Sequence, residues 1–439
     1  MWISSVTHRG LTYCGSMGIH PRTAQLNDSE LPAVATLLAS QPPSPLVAAV
    51  AAAGGEITAG DLSAVTWWPG SSITANFRLT VEGGELAGEH DFVASGGRRL
   101  PDGALVVEDG QSRVGVWRVP FDPALPGMDS ALDPVQTGQL LADLGVPGGP
   151  VRPLLRAYRP GRRAVIAVSG REHAIYLKLL RPSKVESLHR RHRHLEGLLP
   201  VPHTLGYSQP LGLVALQAMH GSTLRHRLED PGEALPDPGE VAGLLDRLPE
   251  PADDHIARSP IERLPDMGRL LAAIVPDQAE RVEDLIRRIG PDDVTTSVPV
   301  HGDYYEAQLM VSDGAVVGLL DVDTYGWGRP GDDPATMIGH LDLWRHLSGQ
   351  SERVRNYAES LLAMWDGVVD PVDLRRRVAA VHLTLAPGAF RVQTADWPSE
   401  TVARIEMAER WIQSAEDTSE DEKGLMSVSE PSHARSAIS

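Results

Sequence analysis

Residues 298–323 read VPVHGDYYEAQLMVSDGAVVGLLDVD. Apolar stretches flank a cluster of His301, Asp303, Gln308, Asp321 and Asp323. The run VVGLLDVD predicts a buried strand that ends in two carboxylates. Positions two apart point to one face of a strand, so Asp321 and Asp323 share a side. Such a pair is costly to desolvate unless a cation neutralises it. Hard oxygen ligands at this place favour magnesium, held by carboxylates together with phosphate oxygens. A strand end that emerges into water would carry the same two residues, and the pair alone does not separate the two readings.

Outward from this stretch the chain divides by pattern. Upstream, VRPLLRAYRPGRRAVIAV (151–168) reads as strand, turn, strand, with the turn at Pro160-Gly161. REHAIYLKLLRP follows as a third strand, and SKVESLHRRHRHLEGLL as a helix capped by Ser183. Strands around HTLGYS and LGLVALQAM complete this unit. From Ser222 onward the pattern is mostly helical, with helices near 237–248, 262–289, 333–347, 351–366, 371–388 and 398–414. Farther upstream, residues 66–119 predict a second β-rich unit of few, short strands, preceded by a helix over 29–40 with Ser29 as its cap. WWPGSSITANFRL (67–79) echoes YRPGRRAVIAV (158–168), which places Arg118 in the first unit as the counterpart of Lys178 in the second. A duplication and two unrelated hairpins with common turn chemistry both produce such an echo. The expected divisions are an N-terminal cap over 1–148, a small lobe over 149–220, a large lobe over 221–414 and a disordered tail over 415–439. The cap is expected to pack on the small lobe and restrict its opening.

The 439 residues are 42% hydrophobic and 22% charged, which excludes a largely disordered chain. A single cysteine, Cys14, excludes an intramolecular disulfide and a Cys-based zinc site. A formal net charge of -18 argues against sequence-independent nucleic-acid binding. No apolar run approaches the ~20 residues that span a bilayer, and the first residues lack a secretory pattern. The expectation is a cytoplasmic protein with no membrane or nucleic-acid partner; Met17 is an alternative start.

His301-Gly302-Asp303, an amide five residues after the Asp and an Asp thirteen beyond that follow the layout of a kinase catalytic loop and metal-binding strand. Here the sequence resembles the aminoglycoside phosphotransferase family, the small-molecule branch of the protein-kinase-like fold. The resemblance implies an α+β, bilobal, protein-kinase-like fold, with a small β-rich lobe and a large helical lobe. It makes Asp303 the catalytic base and Asp321 the metal-binding aspartate. Gln308 stands where the family usually has Asn and offers the same amide oxygen on a longer stem. Maltokinases are similar in having Gln there and a second acid two residues after the metal Asp, which Asp323 matches. An α/β cap ahead of the small lobe is similar to theirs in position.

A kinase also needs a lysine in the third strand of its small lobe. The chain has three lysines against 37 arginines, and Lys178 lies in the apolar strand AIYLKLL. Its compact ammonium suits the α- and β-phosphates. The following helix should supply an acidic partner, with Glu186 preferred over Glu196. LVALQAMHG resembles the strand and hinge that hold adenine, so the backbone from Gln217 to Met219 would face the base. Asp332 or Asp333 would cap the helix beginning near Pro334, a structural role. The resemblance thus implies a phosphotransferase that uses ATP and Mg2+ on a hydroxyl of a small molecule: a sugar, amino sugar or aminoglycoside. A nucleotide-binding pseudokinase that regulates a partner is the alternative, and the oligomeric state is not legible.

Overall fold

The computed structural model describes residues 19–110, 112–146, 150–170, 174–348 and 351–428. Cys14, Met17, part of the expected linker at 147–149 and the last residues of the expected tail lie outside them.

Two five-stranded antiparallel sheets dominate the first half. The first contains β1 (Glu56–Trp68), β2 (Ser72–Glu82), β3 (Gly88–Gly97), β4 (Leu105–Asp109) and β5 (Ser112–Arg118), in the order β1-β2-β3-β5-β4. The second contains β6 (Arg152–Arg159), β7 (Arg163–Ser169), β8 (Ala174–Leu180), β9 (Thr204–Ser208) and β10 (Leu213–Gln217), in the order β6-β7-β8-β10-β9. The two orders are the same. The first sheet is therefore larger than the few short strands expected, and β1 runs for 13 residues.

Strand alternation explains which side of each sheet is covered. In β2, Ile73, Ala75, Phe77, Leu79 and Val81 are buried on one face. Helices Ala33–Leu38 and Ser44–Ala52 supply Val34, Leu37, Leu46 and Val50 to the same core. The first of these starts after Pro32 rather than on a Ser29 cap. In the second sheet, Ala164, Ile166, Leu177 and Leu179 pack on Met128, Ala131 and Leu141 of helices Met128–Leu132 and Pro134–Asp143. Each sheet is thus backed by a helix pair that precedes it in the chain. The other side of the second sheet carries helix Pro182–Leu195, through Val185 and Leu188 against Val214 and Leu216. Pro182 opens that helix where Ser183 was expected to cap it, because a proline loses no bond in a first turn.

The second half is helical apart from short strands. β11 (Ser222–Thr223), β13 (Leu309–Ser312) and β14 (Ala315–Leu319) form one sheet, and β12 (Val298–Val300) pairs with β15 (Gly326–Gly328). The helix expected over 262–289 is two, Leu264–Ile274 and Ala279–Ile289. Pro276 divides them: it has no N–H to give, and Val275 before it leaves the helical region at φ -131°. The last helix, Trp397–Val428, continues past the expected start of a disordered tail. Ala415 is buried and Arg288 pairs with Glu416, so tertiary contacts carry the helix beyond its amphipathic part, and Gln413 adds a bond to Asp417 one turn along.

The N-terminal unit touches both lobes, which corrects the expectation that it rests on the small lobe. Its core is continuous with Leu264, Leu270, Phe390, Trp397 and Ile405 of the helical half. Trp397 donates to Thr23 at 3.0 Å, and Thr23 donates to Gln393 at 3.0 Å. Toward the second sheet, Trp117 donates to the Tyr158 hydroxyl at 3.0 Å. Among the described residues, no helix is long and apolar enough to cross a membrane.

Candidate active site

Residues 298–323 fold as two arms, strand β12 and the β13–β14 hairpin, around a loop. β12 leads into His301, and β14 ends at Leu319, two residues before Asp321. The His301 ring ties the arms together: Nε2 donates to the Leu320 carbonyl at 2.8 Å and Nδ1 accepts from the Asp303 N–H at 3.3 Å. Those two partners set the tautomer. Leu320 N–H donates to the Gln308 carbonyl at 2.8 Å, which holds the amide residue beside the segment that leads to Asp321.

Asp333 acts on this loop rather than as a helix cap. Its carboxylate accepts from the N–H groups of His301 at 2.6 Å and Gly302 at 2.8 Å. Gly302 sits at φ 79°, where a side chain would meet the Thr324 carbonyl. Asp332 accepts from Arg377, a fully buried guanidinium that also binds Asp292 and Asp373. Four charges so arranged lock the start of helix Asp332–Leu347 against the large lobe.

Lys178 reaches across 143 residues of sequence to donate to Asp321 at 2.5 Å, and it also donates to Asp323. Burial disfavours its charge, but the two carboxylates outweigh burial and hold its pKa above the usual lysine value. Arg163 lies 3.6 Å from both carboxylates. Asp321 adopts the left-handed conformation, φ 58° and ψ 53°. A side chain there costs about 1 kcal/mol, the kind of strain that collects at functional sites.

Glu186 does not join this cluster. The buried stripe of its helix runs through Val185, Leu188, His192 and Leu195, which leaves Glu186 exposed. Glu196 is committed to the Thr204 N–H at 2.7 Å and to Arg193. The helix instead sends Arg191 to the backbone carbonyl of Asp323. Gln217 and Met219 lie at the end of β10, but the Gln217 N–H is taken by the His203 carbonyl at 2.9 Å. Met219 packs over Gly318, where a Cβ would lie 2.6 Å from its sulfur.

Asp303 lines a cleft with Arg263, Gly302, Asp332, Thr336 and His340. Tyr305 stacks on His340 at 4.2 Å, and Glu306 beside it is fully buried and paired with Arg225. Sequence reasoning missed Arg163, Arg191, Arg263 and the loop-holding role of Asp333. The one available signal was the turn YRPGRR, whose arginines begin a strand that is otherwise apolar.

A lysine on the third strand of a β-rich lobe, a carboxylate pair at a strand end and an aspartate on the preceding loop define a kinase-type phosphotransferase. The profile described as "Phosphotransferase enzyme family" matches residues 155–377, just over half of the chain. The chain belongs to that family and is a kinase-type enzyme acting on small molecules. Similar solved structures include a macrolide 2'-phosphotransferase type I, 20% identical, covering 62% of this chain and 96% of that one, with TM-score 0.43. A ternary complex of aminoglycoside phosphotransferase APH(4)-Ia with AMP-PNP and hygromycin B is 16% identical, covering 63% and 98%, with TM-score 0.47. A streptomycin–ATP complex of APH(2")-IIa is 15% identical, covering 64% and 98%, with TM-score 0.44. No curated protein matches the chain at a significant level.

Proposed function

We propose that this enzyme transfers the γ-phosphoryl of ATP, with Mg2+, to a hydroxyl of a small molecule such as a sugar, amino sugar or aminoglycoside. The supporting observation is the meeting of Lys178 with Asp321 and Asp323 beside the Asp303 loop. In this reading residues 149–220 hold the nucleotide, with adenine near Gln217 and Met219, and residues 221–414 carry the catalytic loop.

The donor set suits the metal. Asp321, Asp323 and Gln308 offer only hard oxygen atoms for a cation of this kind. Gln308 is buried, and its Nε2 has no hydrogen-bond partner among the described residues, so protein contacts do not commit that amide. Bound Mg2+ would supply positive charge to the phosphate oxygens. Asp303 orients the acceptor hydroxyl and takes its proton as the phosphoryl group transfers. Lys178 exchanges its two carboxylate partners for donor phosphate oxygens, and Arg163 lies beside it with a second positive charge. Asp333 and His301 hold the loop so that Asp303 does not swing away.

Asp303→Asn tests the reading. ADP release measured with a panel of sugars, amino sugars and aminoglycosides should require Mg2+ and an acceptor. The variant should bind ATP in calorimetry yet turn over ~10²-fold more slowly or worse, since general-base help is worth 10²–10⁴. Near-normal turnover removes Asp303 from the chemistry, and a wild-type chain that binds no ATP overturns the reading.

A further inference from the structure

Four histidines are buried among the described residues: His192, His301, His340 and His382. A buried imidazole without a partner is costly, and buried polar groups are nearly always bonded. His192 is 3.0 Å from the Pro202 carbonyl, His301 is 2.8 Å from the Leu320 carbonyl, and His382 is 3.2 Å from the Asp342 carboxylate. His340 is 6% exposed, and neither of its nitrogens has a hydrogen-bond or ion-pair partner among the described residues. It lines the same cleft as Asp303.

The His340 ring is held in place. One face stacks on Tyr305, with centroids 4.2 Å apart and planes 29° from parallel, so the nitrogens at the ring edge are its polar handle. Its helix, Asp332–Leu347, is fixed at the start by the pairing of Asp332 with Arg377. Burial pushes the His340 pKa down to about 4; Glu306 and Asp303 raise it by less, and Arg225 opposes them. The ring is therefore neutral near pH 7 and offers one N–H donor and one nitrogen acceptor.

The helical wall around this ring is uncharged. Thr336 lies one turn before His340 and lines the cleft, as do Val381, Thr384 and Leu385 of helix Pro371–Leu385. Thr336 donates to the Asp332 carbonyl and Thr384 to the Val381 carbonyl, each at 2.8 Å. Both hydroxyls give their proton to the backbone and present only lone pairs to the cleft. The two aspartates that begin the same helix are committed, Asp332 to Arg377 and Asp333 to the catalytic loop. The arginines of the cleft, Arg258 and Arg263, come from the chain just ahead of helix Leu264–Ile274. On the helical wall an oxyanion meets no cation and an ammonium group no free carboxylate. A hydroxyl both donates and accepts, which matches a neutral imidazole set among threonine hydroxyls.

We infer that His340 binds the acceptor through a second hydroxyl, other than the one that gives its proton to Asp303. This rests on the kinase reading and deepens it: the acceptor is a polyol, and His340 is the residue that selects it.

Binding of AMP-PNP with Mg2+ to the full chain is titrated first by calorimetry. ADP release is then followed at saturating ATP and Mg2+ with D-glucose, D-galactose and D-glucosamine, and with the monodeoxy forms of whichever turns over fastest. In the wild type, one deoxy form that still reacts should show a KM ~10-fold above that of its parent, because it leaves a buried partner unbonded. His340→Phe keeps the stack on Tyr305 and removes both nitrogens. It should raise the KM of the parent ~10-fold with a smaller change in kcat, and leave the KM of that deoxy form and of ATP where they were. His340→Gln, which has an amide donor and acceptor, should recover part of the loss. Circular dichroism confirms that each variant is folded, and His340→Leu replaces His340→Phe if the larger ring is not accommodated. A loss that falls equally on the parent and every deoxy form, or on ATP, marks a structural role and overturns the inference. A wild-type KM in His340→Phe overturns it too, as does a wild-type chain that binds AMP-PNP and phosphorylates none of the three sugars. A chain that binds no AMP-PNP breaks the kinase reading instead.

Discussion

The two five-stranded sheets share a strand order, a backing helix pair and a pinned turn, yet only the second carries a buried lysine paired with carboxylates. In the first, Asp28 accepts from the Gly70 N–H at 2.7 Å and from Trp67 at 3.3 Å. In the second, Asp122 accepts from the Gly161 N–H at 2.7 Å and from the Tyr158 hydroxyl at 2.8 Å. With the two Pro-Gly turns superimposed, Arg159, Arg162 and Arg163 fall on Trp68, Ser71 and Ser72. Val165 pairs with Lys178 across β7 and β8, and its counterpart Thr74 pairs with Ser95 across β2 and β3. The counterpart of Lys178 is therefore Ser95 and not Arg118, which lies on β5. A common scaffold holds both turns in place; four side chains separate a packing module from the surface we propose binds phosphate.

The largest effect should come from exchanging chemistry at the matched positions. Lys178→Met removes the charged donor and should lower kcat by ~10²–10³, the usual cost of deleting one electrostatic stabiliser. Ser95→Ala, which loses a 2.9 Å bond to Thr74, should leave kcat unchanged and cost about 1 kcal/mol of stability. Matching losses of turnover in the two variants would erase the functional difference between the sheets.

A smaller effect should follow from acid. His192 on the helix over the second sheet and His340 beneath the catalytic loop are both buried, and burial pushes each pKa down to about 4. Their unfolded values lie near 6.5. A folded pKa below the unfolded one means that the contribution is complete above pH 6.5. It is lost as pH falls from there through 4, on the order of 3 kcal/mol for each ring. Hydrogen exchange should show β8 and β10 losing protection over this range before β2 and β3 do. His192→Phe should flatten the dependence of Tm on pH. An unchanged Tm from pH 7 to pH 4 would contradict the assignment.

The smallest effect concerns the turn anchors. Asp122→Ala and Asp28→Ala each strand a turn N–H, and each should cost about 1–3 kcal/mol. Only Asp122→Ala should also raise the KM for ATP, because its turn carries Arg159 and Arg163. A raised KM in Asp28→Ala would show that the first sheet couples to the nucleotide through the helices it contacts.

Local chemistry made much of the site legible in the sequence. His301, Asp303 and Gln308 lie within eight residues, and Asp321 and Asp323 follow closely on an apolar strand; that strand stops at Leu319, so a left-handed residue and a 3-10 turn, not strand alternation, bring the two carboxylates to one place. Lys178 stood out because lysine is rare in this chain and charge is rare in an apolar strand. Alternation exposed the strands.

Tertiary structure decided which charges meet. Arg191 takes the place expected of Glu186 because helix rotation, set by the burial of Val185, Leu188, His192 and Leu195, turns one residue inward and the other out. Asp333 looked like a helix cap, but it faces the loop that β12 and β15 bring against it. Sequence periodicity reports which face of an element is apolar. It carries no information on how two elements are rotated against each other, and long-range ion pairs depend on that rotation.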